Sequence, residues 1–80
     1  MRAQINGVFC GDDTVTYEGK QYRRFYVFSL DDSGLYKIAV PASYSIDNMA
    51  DYVGQRCVII AELRTFDGRN RLKLVSIDFA

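Results

Sequence analysis

Hydrophobic and polar positions alternate through most of the chain at the spacing of β-strands. The strand-like segments are residues 2–10, 14–17, 22–30 and 35–40, followed by the two arms of the long apolar stretch 54–79. They are separated by clusters of turn residues, which are EGKQ at 18–21, DDSG at 31–34 and DGRN at 67–70. Period-two alternation bounded by such clusters is typical of half-buried strands. The pattern therefore predicts an all-β protein.

One stretch, residues 43–53, changes to a helical period. Its apolar residues recur at the i, i+3, i+4 and i+7 spacing of one helix face: Ile46, Met49, Ala50 and Val53. Ser45 is placed to cap the helix N-terminus and Gly54 to end the helix. The sequence thus predicts one short helix between the third and fourth strands.

Five strands with a helix between the third and the fourth is the element order of the oligonucleotide/oligosaccharide-binding barrel, the OB-fold. An open sheet packed under one helix has the same order. Gly7 favours the barrel, because a glycine inside a strand often marks the bulge or bend that curls a strand around a small barrel. We expect one OB-fold domain over residues 1–80.

Charge is balanced overall but unevenly distributed along the chain. Ten basic and ten acidic residues give a net charge of zero, which does not support bulk electrostatic binding to nucleic acid. The basic residues nevertheless form two runs, 20–24 and 64–73, of which only the second contains an acid, Asp67. Adjacent aspartates stand at 12–13 and 31–32, where turn chemistry is the expected explanation.

The sequence offers no enzymatic or metal-binding motif. It has no histidine, no Walker-type phosphate loop and no dinucleotide-binding fingerprint, so we expect neither catalysis nor a cofactor. The two cysteines, Cys10 and Cys57, are too few for a zinc site and are predicted to be reduced thiols in the core. No apolar run is long enough for a membrane helix, and no signal peptide stands at residues 1–9, so a cytoplasmic location is expected.

Three stretches resemble a known family. The pattern GxxCxIxAxLRT starts at Gly54, KQYxxFxV starts at Lys20, and RLKLVSI starts at Arg71. They resemble the fourth, second and fifth strands of the bacterial and phage single-stranded DNA-binding proteins, and the short chain is closest to small phage or mobile-element members. The resemblance implies an OB-fold and single-stranded DNA as partner. It also implies an inward row of residues: Phe25, Val27, Cys57, Ile59, Ala61 and Leu63.

A surface for single-stranded nucleic acid needs cations for phosphates and flat rings for bases. Because alternate residues of a strand face opposite sides, Arg24, Tyr26 and Phe28 share the outer side of the second strand, and Tyr26 is the first choice as a stacking ring. Tyr17 is a weaker candidate, and Tyr44 and Tyr52 are expected to pack in the core. The predicted nucleic-acid-binding set is Lys20, Tyr22, Arg23, Arg24, Tyr26, Phe28, Tyr36, Lys37, Arg64, Phe66, Arg69, Arg71 and Lys73.

The fourth strand is apolar on both faces, because Val58 and Ile60 point away from the inward row. These two residues are the predicted oligomer contact of a homodimer. The leading hypothesis is a protein that coats single-stranded DNA with little sequence preference in replication, recombination or DNA transfer. The alternatives are an OB-like assembly module without a nucleic-acid role, and a binder of single-stranded RNA.

Overall fold

A computed structural model describes residues 1–42, 44, 49–66 and 68–80, except that the side chain of Phe66 is outside the described part. The described residues form five strands and one 3-10 helix. In chain order they are β1 (Arg2–Tyr17), β2 (Lys20–Ser29), β3 (Leu35–Val40), the 3-10 helix (Met49–Tyr52), β4 (Arg56–Phe66) and β5 (Arg69–Phe79).

The five strands close into a barrel in the order β1-β2-β3-β5-β4. All neighbouring pairs are antiparallel except β3 and β5, which are parallel and meet only at Ile38–Leu72 and Ala39–Lys73. This arrangement confirms the predicted five-stranded OB-fold barrel. It also places the β4–β5 hairpin beside the outer side of β3, where the candidate site lies.

The first strand does not end at Cys10 as predicted, because β1 continues to Tyr17 and contains a bulge at Cys10. Phe9 pairs with Val27 while Gly11 pairs with Tyr26, which leaves Cys10 as the extra residue. The strand continues from there to the hairpin turn at Glu18 and Gly19, where both φ angles are positive, +50° and +77°. Residues on the two sides of the bulge therefore follow different inward and outward alternation.

Gly7 is not the position of the bulge in β1, which lies between Phe9 and Gly11. It lies at the point where β1 pairs with both β2 and β4. A Cβ atom there would stand 2.4 Å from the backbone oxygen of Phe28 and 2.7 Å from Cγ1 of Val27. Glycine is required because the two strands approach too closely for any side chain.

The core fills the barrel with residues from every strand. Its fully enclosed side chains are Phe9, Phe25, Val27, Ile38 and Ile59. The predicted inward row is confirmed for Phe25, Val27, Cys57, Ile59 and Ala61. Ser29 is a buried polar residue of the same core. Leu63 is only half-buried, because β4 has passed beyond the barrel at that point. Both thiols are free as expected, but Cys10 is exposed, since the bulge places it outside the barrel.

Within the predicted helix 43–53, the described residues 44 and 49–53 include one 3-10 helix, Met49–Tyr52. Met49 is buried against the core, whereas Ala50 and Val53 are exposed, so the predicted apolar face is wrong for these two residues. Ser45 and Ile46 lie outside the described residues. Tyr44 and Tyr52 pack against the core, as predicted.

Among the residues described, no helix has the length and apolar character needed to cross a membrane.

Candidate functional site

The outer side of β1, β2 and β3 forms one continuous surface, which we call the open face. Its cross-strand pairs run from the hairpin tip toward the opposite end of the barrel: Tyr17–Lys20, Val15–Tyr22, Asp13–Arg24, Tyr26–Lys37 and Phe28–Leu35. Arg24 is also paired with Ala39. The eight residue steps along β2 from Lys20 to Phe28 span about 27 Å. The open face is thus long enough to contact several nucleotides of an extended strand.

Aromatic and aliphatic side chains are unusually accessible on the open face. Tyr17 is 66% exposed, Tyr22 49%, Leu35 65% and Phe28 38%. Tyrosine tolerates this position because its hydroxyl group remains solvated while the ring is half-covered. The open face therefore has accessible flat rings beside the cations Lys20, Arg24 and Lys37.

At the middle of the open face, three side chains form a hydrogen-bonded group. Arg24 donates to Asp13 through both Nε (2.9 Å) and Nη2 (2.6 Å), and the Tyr26 hydroxyl donates to Oδ2 of the same carboxylate at 2.8 Å. These donors hold the pKa of Asp13 below its usual value. The carboxylate in turn raises the pKa of Tyr26. The guanidinium carbon of Arg24 lies 5.7 Å from the centroid of the Tyr26 ring.

Asp12 and Arg23 form a second ion pair, on the side of the β1–β2 hairpin opposite to the open face. Arg23 donates to Asp12 at 2.9 Å, and its guanidinium carbon lies 5.5 Å from the centroid of the Phe25 ring. The interpretation of Asp12 and Asp13 as turn residues is therefore wrong. The bulge at Cys10 carries both into the paired part of β1, where each faces an arginine of β2.

A groove of about 610 Å³ separates the open face from the β4–β5 hairpin. Its wall on the side of β2 and β3 consists of Arg24, Leu35, Tyr36, Lys37 and Ala39. Its wall on the hairpin side consists of Leu63, Arg69, Asn70, Arg71 and Leu72. The groove thus has apolar surface along its length and cations on both sides.

A smaller depression of about 200 Å³ continues the groove past Ala39, Arg71 and Leu72, which line both. It adds two cations, Arg64 and Lys73, together with Val40 and Pro41. Arg64 and Arg71 are directly paired across the hairpin, an arrangement of like charges that is unfavourable without a nearby anion. Glu62 partly compensates through a 3.0 Å hydrogen bond from Arg64. None of the described residues that line the two depressions is acidic.

The structure places most of the predicted site residues in two groups. Those that line the groove or its extension are Arg24, Tyr36, Lys37, Arg64, Arg69, Arg71 and Lys73. Those on the open face beside the groove are Lys20, Tyr22, Tyr26 and Phe28. Arg23 does not join either group because it lies on the opposite side of β2. For Phe66, no side-chain position is described.

Tyr36 is in part a core residue. It alternates with exposed Leu35 and Lys37 and packs against the buried cluster. Its hydroxyl donates to Asp32, which also accepts a 2.8 Å hydrogen bond from the backbone N–H of Gly34. Asp32 thereby fixes both the turn before β3 and one end of the groove wall. The interpretation of Asp31 and Asp32 as turn residues is confirmed.

Several residues of the site were not predicted. Leu35 and Ala39 alternate with Tyr36, Ile38 and Val40, and this alternation is the signal that could have identified them as outward residues of β3. Leu63 and Leu72 are a cross-strand pair that follows the inward alternation of β4 and β5 beyond the barrel. The place of Asp13 on the open face could not be predicted from alternation, because it depends on the bulge at Cys10.

The face of β4 that points away from the core is partly apolar. Val58 is 37% exposed and Ile60 is half-buried. Their cross-strand neighbours are polar: Asn6 and Asp78 beside Val58, and Gln4 and Ser76 beside Ile60. The predicted outward orientation of the two residues is confirmed.

The described residues contain no cluster of three or more potential metal ligands.

One comparison with known proteins gives information on the fold. Neither the family models nor the curated proteins contain a match to this sequence. Among solved structures, the chain is similar to the crystal structure of Rim1, the mitochondrial single-stranded DNA-binding protein of S. cerevisiae. The superposition has a TM-score of 0.70 at 17% sequence identity and covers 99% of this chain and 91% of that chain. The barrel is therefore shared over nearly the full length of both proteins.

Proposed function

We propose that the protein binds single-stranded DNA with little sequence preference, as in DNA replication, recombination or transfer, and that it does so in the cytoplasm. The observation that carries the proposal is the groove, whose described lining has cations from both sides and no acid, next to the exposed tyrosines of the open face. The free thiols of Cys10 and Cys57 suit a reducing compartment. The shared fold with Rim1, a single-stranded DNA-binding protein, supports the same function.

Each part of the surface suits one part of a single strand. Phosphates would contact the cations that line the groove, such as Lys37, Arg69 and Arg71. Because these cations are concentrated in one groove, the zero net charge of the whole chain does not prevent binding. Unpaired bases would stack on Tyr22 and Tyr26, and since every base has a flat face, such stacking discriminates little among sequences. In OB-folds generally, the face of the second and third strands and the loops after the first and fourth strands bind oligonucleotides.

Titration of fluorescein-labelled oligo-dT by fluorescence anisotropy at two salt concentrations tests the proposal. We expect micromolar or tighter binding at low salt, and a logarithm of the association constant that falls with the logarithm of salt concentration by about 0.7 for each phosphate contacted. Oligo-U and duplex DNA of the same length serve as competitors. Absence of binding, or binding indifferent to salt, would favour an assembly module, and stronger competition by oligo-U would favour RNA as the ligand.

We further propose that the protein is a homodimer that covers Val58 and Ile60. A β-sheet face with two apolar residues at its centre is suited to a second copy, because burial removes their surface from water. Sedimentation velocity of the wild type should give the mass of a dimer, and Val58→Arg should shift it toward the monomer. The matched change Val15→Arg, on the open face, should leave the mass unchanged. A monomeric wild type at micromolar concentration contradicts the proposal.

A further inference from the structure

Asp13 is the one acid of the open face and lies between its aromatic and basic residues. Its cross-strand partner Arg24 also lines the groove. The carboxylate accepts three hydrogen bonds, two from Arg24 and one from Tyr26. In the free protein the charge of Arg24 is therefore already matched by an anion. The same arginine is one of the cations that a phosphate in the groove would approach.

We propose that Asp13 competes with the phosphate backbone for Arg24, so that single-stranded DNA binds only by taking this guanidinium from the carboxylate. The inference rests on the proposed function and identifies a residue that limits affinity at the same site. A carboxylate and a phosphate present similar pairs of oxygens to the Nε and Nη2 donors of arginine. The carboxylate and a phosphate cannot both accept hydrogen bonds from these two donors at the same time.

The exposure of the pair makes such an exchange feasible. The side chain of Arg24 is 29% exposed and that of Asp13 is 40% exposed. Ion pairs with this much solvent contact contribute little net stability, since water screens them and both side chains lose freedom. A phosphate can thus replace the carboxylate without loss of the barrel. Separation of Arg24 from Asp13 also frees the side of the Tyr26 ring on which the guanidinium lies.

Asp12 provides a matched control for the inference. It is the neighbouring residue, carries the same charge and forms an ion pair of similar length with Arg23, at 2.8 Å compared with 2.6 Å for Asp13 and Arg24. It differs from Asp13 in its orientation: Asp12 and Arg23 lie on the side of the β1–β2 hairpin that faces away from the open face. Asp12→Asn and Asp13→Asn therefore change the net charge equally but release different arginines.

Oligo-dT titrations of the two variants over a range of salt concentrations test the inference. Asp13→Asn should bind about fivefold more tightly than the wild type at low salt, and its salt slope should equal that of the wild type, because Arg24 contacts a phosphate in both complexes and the slope depends on the number of phosphates contacted. Asp12→Asn should change affinity less than twofold at the same ionic strength and leave the slope unchanged. Adding Arg24→Gln to Asp13→Asn should abolish the gain. Circular dichroism and thermal unfolding establish that each variant is folded.

Four results would overturn the inference. Equal gains in the two Asp→Asn variants would mean that only net charge matters. Weaker binding by Asp13→Asn would mean that the carboxylate positions Arg24 and Tyr26 for the ligand instead of competing with it. If the wild type binds tightly and Asp13→Asn has the same affinity for oligo-dT, the inference is rejected but the proposed function is not. No binding by any variant would reject the proposed function as well.

Discussion

Replacement of Phe25 by alanine is expected to destabilise the barrel by about 3–5 kcal/mol, the usual range for a fully enclosed phenylalanine. Phe25 is 0% exposed, and its ring meets that of Phe9 edge-on, with centroids 5.4 Å apart. Phe9 meets Phe79 in the same way at 5.7 Å, and Phe79 stacks on Tyr52 at 4.2 Å. The removed ring is therefore the end of an aromatic chain that connects β2, β1, β5 and the 3-10 helix.

For a domain of this size, such a loss is a large share of the total stability. Natural domains have about 0.05–0.15 kcal/mol per residue, or roughly 4–12 kcal/mol for this chain. Each kcal/mol corresponds to about 4–8 °C in the midpoint of thermal unfolding for a domain of 60–100 residues. Thermal unfolding followed by circular dichroism should thus show a midpoint lowered by at least about 12 °C, or no folded state at all.

Phe28→Ala is the matched control because it removes the same ring from the same strand. Phe28 lies on the open face and is 38% exposed, so its removal leaves no enclosed cavity. We expect less than half the loss of thermal stability seen for Phe25→Ala. Equal losses in the two variants would contradict the assignment of the inner and outer sides of β2.

The fold could be predicted because alternation and turn residues are local properties of the sequence. The third strand was predicted with the bounds that the structure has, Leu35–Val40, and the long hairpin was predicted from its two apolar arms and the turn between them. Two features were not predictable in this way. The bulge at Cys10 depends on how β1 pairs with its neighbours, and the close approach at Gly7 depends on the contact of β1 with β2.

The cations of the site were predicted more accurately than their partners. Arg24, Lys37 and Arg71 were identified from residue type and alternation, and all three line the groove. Along the sequence the run 20–24 contains no acid, but in the barrel Asp12 and Asp13 lie directly beside it. The register between β1 and β2 determines these pairs, and a bulge of one residue changes it. The acidic and basic residues are therefore less separated in the folded barrel than they are along the sequence.

The combined change Tyr22→Ala and Tyr26→Ala is expected to weaken oligo-dT binding at least about thirtyfold. The two rings are four residues apart on β2, which corresponds to about 13 Å, so they would contact different bases. Stacking of one base on an aromatic side chain contributes about 1–3 kcal/mol, and two such losses give at least about 2 kcal/mol. The salt slope should stay unchanged because neither ring contacts a phosphate.

Tyr22→Phe with Tyr26→Phe is the control that separates the rings from their hydroxyl groups. It keeps both flat surfaces but removes the hydrogen bond from Tyr26 to Asp13. If stacking is the main contribution, this variant should bind oligo-dT within about threefold of the wild type, because the base contacts the ring and not the hydroxyl. A loss as large as that of the alanine variant would assign the role to the hydroxyl groups. Wild-type affinity in the alanine variant would instead confine the DNA to the groove between β3 and the β4–β5 hairpin.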